Sequence, residues 1–264
     1  MTTVHTIASS SSGNALLLDW GGGRLLVDAG VSCRRIRQSL QSLNLDLRDL
    51  DAVCITHTHS DHISGLQTLL RQTDCPIFAT APAGRDLLRR MVLLEDRLRE
   101  AAGAFAVKDC TITPFSTSHD SPGSCGYRFD TPDGAVGLLT DSGVVTPEAA
   151  AVLPGVALAV LEANHDVEAV RSGPYPYFLK ERILGPGGHL PNEDAAAFAV
   201  TLAAAGAREI ILAHLSRENN TPAMALRTVE TALNAAGLYP RLSAAPRDCL
   251  SEAYRLEGGA VCSG

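Results

Sequence analysis

The sequence predicts a layered α/β protein in which sheets are covered by helices, and two observations carry that prediction. Apolar runs of strand length crowd the first part of the chain and alternate with helical patterns in the second, separated by Gly, Pro and Asp turns. The 264 residues, 45% of them hydrophobic, can bury a sizeable core, and no repeat, low-complexity tract or linker divides them. A bundle or a single parallel sheet fits this order less well. One domain over residues 1–264 is the economical organisation.

In chain order, VHTIA, ALLLDW and LLVDAG predict strands over 4–8, 15–20 and 25–30, with the Ser/Gly turn SSSSGN at 9–14 joining the first two. A helix is expected over 32–43, a strand over 51–57, a helix over 63–72, a strand over 75–80 and a helix over 82–100. Further strands are expected at 110–118, 125–130, 135–141, 156–163, 209–214 and 252–257, and further helices at 146–153, 176–184, 192–205 and 221–235. Pro147, Pro176 and Pro222 lie near helix starts, where a missing amide hydrogen costs nothing.

Composition narrows the function. A net charge of -7 argues against a generic polyanion binder, although local patches could still bind phosphates. The seven cysteines are odd in number, scattered and never spaced CxxC, so they read as reduced thiols and not as a disulfide framework or zinc ribbon. The N-terminal residues MTTVHTIASSSSGNA lack a basic stretch followed by an apolar run, and no window is apolar over the ~18 residues a membrane span needs. A cytoplasmic protein without membrane contact is expected.

The stretch ITHTHSDHISG, residues 55–65, holds three of the eight histidines. His57 and His59 are two apart, so in extended backbone their side chains share one face, while Asp61 and His62 open the next helix and can point back toward it. That spacing can serve two adjacent metal ions. A solvated His-rich turn would require separate uses for three histidines and a carboxylate within six positions.

HTHSDH after an apolar strand, preceded by LLVDAG and followed by isolated histidines and an aspartate at strand ends, resembles the metallo-β-lactamase fold, an αββα sandwich with its metal site along one sheet edge. SSSSGNA, LEANHD with GPYPYFLKERI, GGHLPNEDAA and LAHLSRENN are similar to the YycJ-like (WalJ-like) nucleases, and the resemblance covers nearly the whole chain. It implies that His57, His59 and His119 hold one metal, that Asp61, His62 and His214 hold a second, and that Asp141 bridges them. Asp28 would orient the ligand loop by hydrogen bonding. Independently, His119, Asp141 and His214 each sit at or just beyond the end of an apolar run. Donors that are all imidazole and carboxylate suit Zn²⁺ or Mn²⁺, with iron also admissible. Two ions roughly 3.5–4 Å apart would activate a water and neutralise charge on a phosphoryl group.

The resemblance also implies a general acid, His189, oriented by Glu162, with Asp61 holding the attacking hydroxide. His189 precedes a helix whose expected N-cap is Asn192, and so would face the pocket from a loop. Ser12, Asn14 and His165 are candidate substrate contacts. So are Tyr175, Lys180 and Arg182 in the aromatic and basic segment, where Tyr177 and Phe178 could also stack on bases. Arg85, Arg89, Arg90, Arg97 and Arg99 are explained at least as well by a solvated helix face.

Only 22 positions separate His119 from Asp141 and 48 separate Asp141 from His189, which leaves no room for the long arm or the large inserted cap of RNA-processing relatives. The expected activity is a metal-dependent phosphodiesterase, and the resemblance to the YycJ-like nucleases implies a 5′-to-3′ exonuclease with DNA as its nucleic-acid partner. A small-molecule ester, lactone, thioester or cyclic phosphodiester hydrolase of the same fold, or a metal-bound regulatory protein without turnover, stays open at this point. Oligomeric state is not legible.

Overall fold

The computed structural model describes residues 1–91 and 94–256. β1 (Thr2–Ser10), β2 (Gly13–Asp19) and β3 (Arg24–Val27) form an antiparallel meander, and β4 (Ala52–Cys54), β5 (Ile77–Ala79) and β6 (Leu98–Glu100) extend the sheet in parallel. A second sheet begins with β7 (Phe105–Val107), β8 (Cys110–Ser116), β9 (Cys125–Thr131) and β10 (Gly134–Leu139), all antiparallel. It continues in parallel through β11 (Leu158–Glu162), β12 (Glu209–Ala213) and β13 (Arg241–Ala244). The last strand, β14 (Tyr254–Leu256), returns to pair with β1. Each sheet therefore changes from antiparallel to parallel along its width.

Side-chain alternation stacks the layers. Leu16 and Leu18 of β2 face the second sheet and join Tyr127, Phe129, Leu158 and Val160 in the buried layer between sheets. Leu17 points the other way, into a layer with Ile36 and Leu40 of α1 (Cys33–Ser42) and Leu87 of α4 (Ala81–Arg90). Between them α2 (Ser60–Ile63) and α3 (Leu66–Leu69) add Ile63, Leu66 and Leu69. On the far side, Ala159, Leu161, Ile210 and Leu212 pack under α5 (Pro147–Val152), α8 (Asn192–Ala204) and α9 (Pro222–Ala235). The order is helix, sheet, sheet, helix, as expected from the sequence. Fully burying each Leu or Phe side chain stabilises the fold by roughly 1.5–3 kcal/mol, so the double-sided strands are the main source of stability. Two short helices, α6 (Val167–Ser172) and α7 (Tyr177–Leu184), stand outside this stack, and α7 buries none of its residues.

The helix expected over 82–100 is corrected: α4 stops at Arg90, Met91 is extended, and Leu98–Glu100 is a strand paired in parallel with β5. Local helix propensity yields there to ladder hydrogen bonds, and the Arg97 guanidinium donates to the carbonyls of Thr73 and Leu70. The short strands β7 and β13 carry too little alternation to be read from sequence. Among the described cysteines none is paired, and five of the six are buried. Cys262 lies outside the described residues. No helix among the described residues is long and apolar enough to cross a membrane.

Candidate metal centre

The strands that matter end at one rim. β4 stops at Cys54, and the chain runs on through His57 and His59, whose extended backbone caps α2 (φ -66°, ψ 153°), before Asp61 and His62 turn back in the first helical positions. Asp28, just beyond β3, accepts hydrogen bonds from the Thr56 amide (2.8 Å), the Thr56 hydroxyl (2.7 Å) and His62 Nδ1 (2.7 Å). That last bond fixes the tautomer, so His62 Nε2 faces the cluster. Gly30 is required where the loop after β3 crosses α2: a Cβ there would fall 1.6 Å from the Asp61 carbonyl oxygen.

Other braces were hidden from sequence reasoning. Arg90 donates to the Thr58 carbonyl (2.9 Å) and pairs with Asp86 (2.7 Å), which accepts from the Thr58 hydroxyl (2.6 Å). Arg90 is thus a clasp on the ligand loop, not simply part of a solvated basic face. Across the sandwich, the Tyr127 hydroxyl donates to the Ile55 carbonyl at 2.7 Å.

The second sheet brings in the remaining side chains. Asp141 and His214 lie just past β10 and β12, and both adopt left-handed backbone (φ 56° and 55°), as does Asp28 (φ 59°). Positive φ is uncommon outside glycine and costs conformational energy, yet three of the five such non-glycine positions among the described residues are here. The kink turns a side chain off the strand line and over the rim.

His57, His59 and His119 form one group, and Asp61, His62 and His214 another, each with potential ligand atoms within 4.8 Å of one another. Asp141 lies between them: Oδ2 is 3.3 Å from His62 Nε2, while Oδ1 is 3.6 Å from His214 Nε2 and 3.7 Å from His119 Nε2. His119 is oriented by donation from Nδ1 to the Gly188 carbonyl at 3.0 Å.

The donor set fits divalent metal. His57 Nε2, His214 Nε2 and Asp141 Oδ2 are buried and make no hydrogen bond, an arrangement that costs free energy unless a cation takes those lone pairs. Burial, reinforced by His62, pushes His57 down to about 2, which leaves a neutral ring able to serve as a metal ligand. Burial opposes charge on His214 and His62, yet Asp141, with Asp61 and Glu162, lifts His214 to about 10, and Asp141 and Asp28 lift His62 well above the imidazole range. Against its own burial, Asp141 is held well below the carboxylate range by His214 and His62. Burial opposes charge on Asp61 as well, yet the neighbouring rings of the same two histidines lower it. A divalent ion at Nε2 of His62 and His214 would compete with protons for those positions.

Glu162 lies at the end of β11. Its Oε1 accepts from both His189 Nδ1 (2.9 Å) and His214 Nδ1 (3.0 Å), and its Oε2 accepts from the amides of Ser142 (2.9 Å) and Leu190 (3.3 Å). Despite complete burial it is lowered to about 2, chiefly by His189. His189, with its side chain 21% exposed, is on a loop as expected. The helix cap beyond it is Pro191, not Asn192; the Asn192 side chain is spent instead on a reciprocal amide pair with Asn220.

The expected substrate contacts separate. His165 is fully buried, with Nδ1 on Asn164 (3.3 Å) and its ring pushed by burial to about 4, so it stands behind the site instead of facing substrate. Asn14 is buried too, its amide directed at Ser10, His62 and Asp61, which makes it a brace. Ser12 is exposed in the β1–β2 turn. Tyr175 and Arg182 line a cavity of about 170 Å³ that reaches His119 and His189. Lys180 lines a neighbouring groove with Arg171 and Tyr177 and donates to the Arg171 carbonyl at 2.6 Å. Tyr177 and Phe178 are 76% and 74% exposed. Asp120, not foreseen from the sequence although it adjoins His119, accepts from Arg182 Nε at 2.7 Å and lies 3.4 Å from His59 Nε2. A larger cavity of about 530 Å³, between Pro82, Phe115 and Val152, contains none of the histidine and aspartate cluster, and convergent titratable groups locate a site better than volume does.

Residues 23–215 match the model of the beta-lactamase superfamily domain. The chain is 38% identical over 237 residues to exodeoxyribonuclease WalJ of Streptococcus pneumoniae, covering 88% of each. To exodeoxyribonuclease YycJ of Bacillus anthracis it is 34% identical over 234 residues, covering 88% of this chain and 89% of the relative. Among solved structures, the metallo-beta-lactamase fold protein YhfI from Bacillus subtilis superposes with a TM-score of 0.70 at 17% identity, over 96% of this chain and 100% of that one.

Proposed function

The chain belongs to the beta-lactamase domain superfamily and, within it, to the family of the WalJ and YycJ exodeoxyribonucleases, and from that premise we propose that it is a 5′-to-3′ DNA exonuclease working with two divalent ions. The observation that carries the chemistry is the pair of ligand groups meeting at Asp141, with the His189–Glu162 pair beside them. His57, His59, His119 and Asp141 would hold one ion; Asp61, His62, His214 and Asp141 would hold the other. Zinc or manganese suits these donors, and iron is admissible. When bound, the ions supply Lewis-acid polarisation of the phosphoryl group and an acidified water.

The protein's own groups do the rest. Asp61, whose Oδ2 lies 3.5 Å from His62 Nε2 and 3.7 Å from His214 Nε2, is fixed in orientation and holds the attacking water by a hydrogen bond. His189 commits Nδ1 to Glu162 and keeps Nε2 for donating a proton to the departing 3′-oxygen. Arg182, and Lys180 and Ser12 further out, meet the phosphates of the strand.

The decisive experiment is degradation of 5′- and 3′-labelled DNA by purified protein supplied with Mn²⁺ or Zn²⁺. Release of mononucleotide from the 5′ end, abolished by chelator, is the expected outcome. Turnover of lactones, thioesters or cyclic phosphodiesters with no cleavage of any DNA would overturn the nuclease reading in favour of a small-molecule hydrolase.

A further inference from the structure

The cavity beside His189 is lined by side chains of contrasting chemistry. Leu179 and Ile183 of α7, with Tyr175, supply an apolar part of the lining. Ser11, Asn164 and Ser216 supply a polar part, and His119 and His189 of the metal centre line the cavity too. At about 170 Å³ it has room for one planar base and not for a stacked run. The helix that supplies Leu179 and Ile183 buries no residue of its own, so it adds little to the core. It is tied to the metal rim by Arg182, through Asp120, which in turn faces His59 and His119.

Resting on the exonuclease reading above, we infer that this cavity is the subsite of the departing nucleoside. A group protonated by His189 on leaving must lie on the His189 side of the phosphorus, and this cavity opens there. The terminal base stacks on Tyr175 against Leu179 and Ile183, with its edge toward the serines and Asn164. An aromatic and aliphatic wall accepts every base, because each offers a π face. In the step served, the water oxygen bonds to phosphorus as the phosphorus–O3′ bond breaks. The proton of His189 Nε2 passes to O3′, and a water proton leaves by way of Asp61 to solvent. The products are the terminal mononucleotide and a strand shortened by one residue with a new 5′-phosphate.

The test compares two oligonucleotides that differ only at the 5′-terminal nucleotide, one normal and one abasic. The wild type should have kcat/KM on the order of 10-fold lower on the abasic end, the size of one base–aromatic stack. Tyr175→Ala should lose the same factor on the normal end and nothing on the abasic end. A nitrophenyl phosphodiester without a nucleoside should be turned over equally by both proteins. Leu179→Trp, which fills the cavity, should repeat the pattern independently. As a readout apart from turnover, a 5′-terminal 5-iododeoxyuridine should photocrosslink to Tyr175. Equal loss on both oligonucleotides, loss on the small diester, or crosslinks only elsewhere would overturn the subsite. A wild type that degrades DNA but ignores the abasic change sinks the subsite alone, whereas one that cleaves no DNA sinks the nuclease reading with it.

Discussion

The two halves of the metal centre are built in opposite ways. The first sheet delivers His57, His59, Asp61 and His62 from one run of six residues after β4. The second delivers His119, Asp141, Glu162, His189 and His214 one at a time, from four strand ends and a loop. In the first half, ordering a single loop orders every ligand. In the second, parallel register does the work: Leu139 pairs with Leu161 and Glu162 with Ala213, which brings Asp141, Glu162 and His214 to one level. Left-handed backbone then turns Asp141 and His214 inward. A compact motif is robust to changes in distant packing, and a dispersed one is only as accurate as the sandwich that carries it.

The largest expected effect tests whether the compact half can act alone. Asp141→Ala should abolish turnover and reduce metal from about two ions per chain, the number that seven donors call for, to one or fewer by elemental analysis. Retention of the full complement would mean that the run after β4 suffices and that the dispersed half is not a ligand set.

His189→Ala comes next. It should keep its metal but lose roughly 10²–10⁴ in turnover of DNA, the range for one general acid, and far less on a nitrophenyl phosphodiester whose leaving group needs no proton. Equal loss on both substrates would make His189 a phosphate-positioning residue.

Asp28→Asn and Glu162→Gln are matched changes, since each carboxylate orients a ligand imidazole through Nδ1, His62 in one half and His214 in the other. Each should weaken metal binding by about 10–100-fold in a competition titration. Only Glu162→Gln should also depress turnover at saturating metal, because it loosens His189 as well. Unchanged metal affinity in Glu162→Gln would assign Glu162 to His189 alone.

The smallest effect concerns the clasp on the compact half. Arg90→Ala removes the bond to the Thr58 carbonyl and should cost on the order of 1 kcal/mol in denaturant unfolding, with metal content unchanged. Loss of metal would show that the compact loop, too, depends on its surroundings.

This asymmetry explains what could be read from the sequence. The spacing HxHxDH is local, so its chemistry is visible without a fold, and the long apolar strands made the layers visible. His119, Asp141 and His214 are single residues at the ends of runs and His189 a single residue in a loop, and family resemblance is needed to single them out. No local pattern marks the left-handed backbone at Asp141 and His214, the Asp120–Arg182 pair, or the second imidazole on Glu162, because each depends on residues distant in sequence. His165 is a candidate substrate contact by sequence, yet tertiary packing encloses it. Continuous helix propensity beyond Arg90 concealed β6, whose existence depends on an edge that only β5 supplies.

The two main-chain amides that Glu162 receives give the site a built-in clock. Ser142 and Leu190 donate to one buried carboxylate oxygen, and Leu190 directly follows His189. Their hydrogens can exchange with solvent only when that carboxylate lets go. Deuterium uptake at these two positions therefore times how often the His189 loop opens, and a change that speeds both together marks loosening of the shared anchor, whereas one that speeds Leu190 alone marks movement confined to the loop.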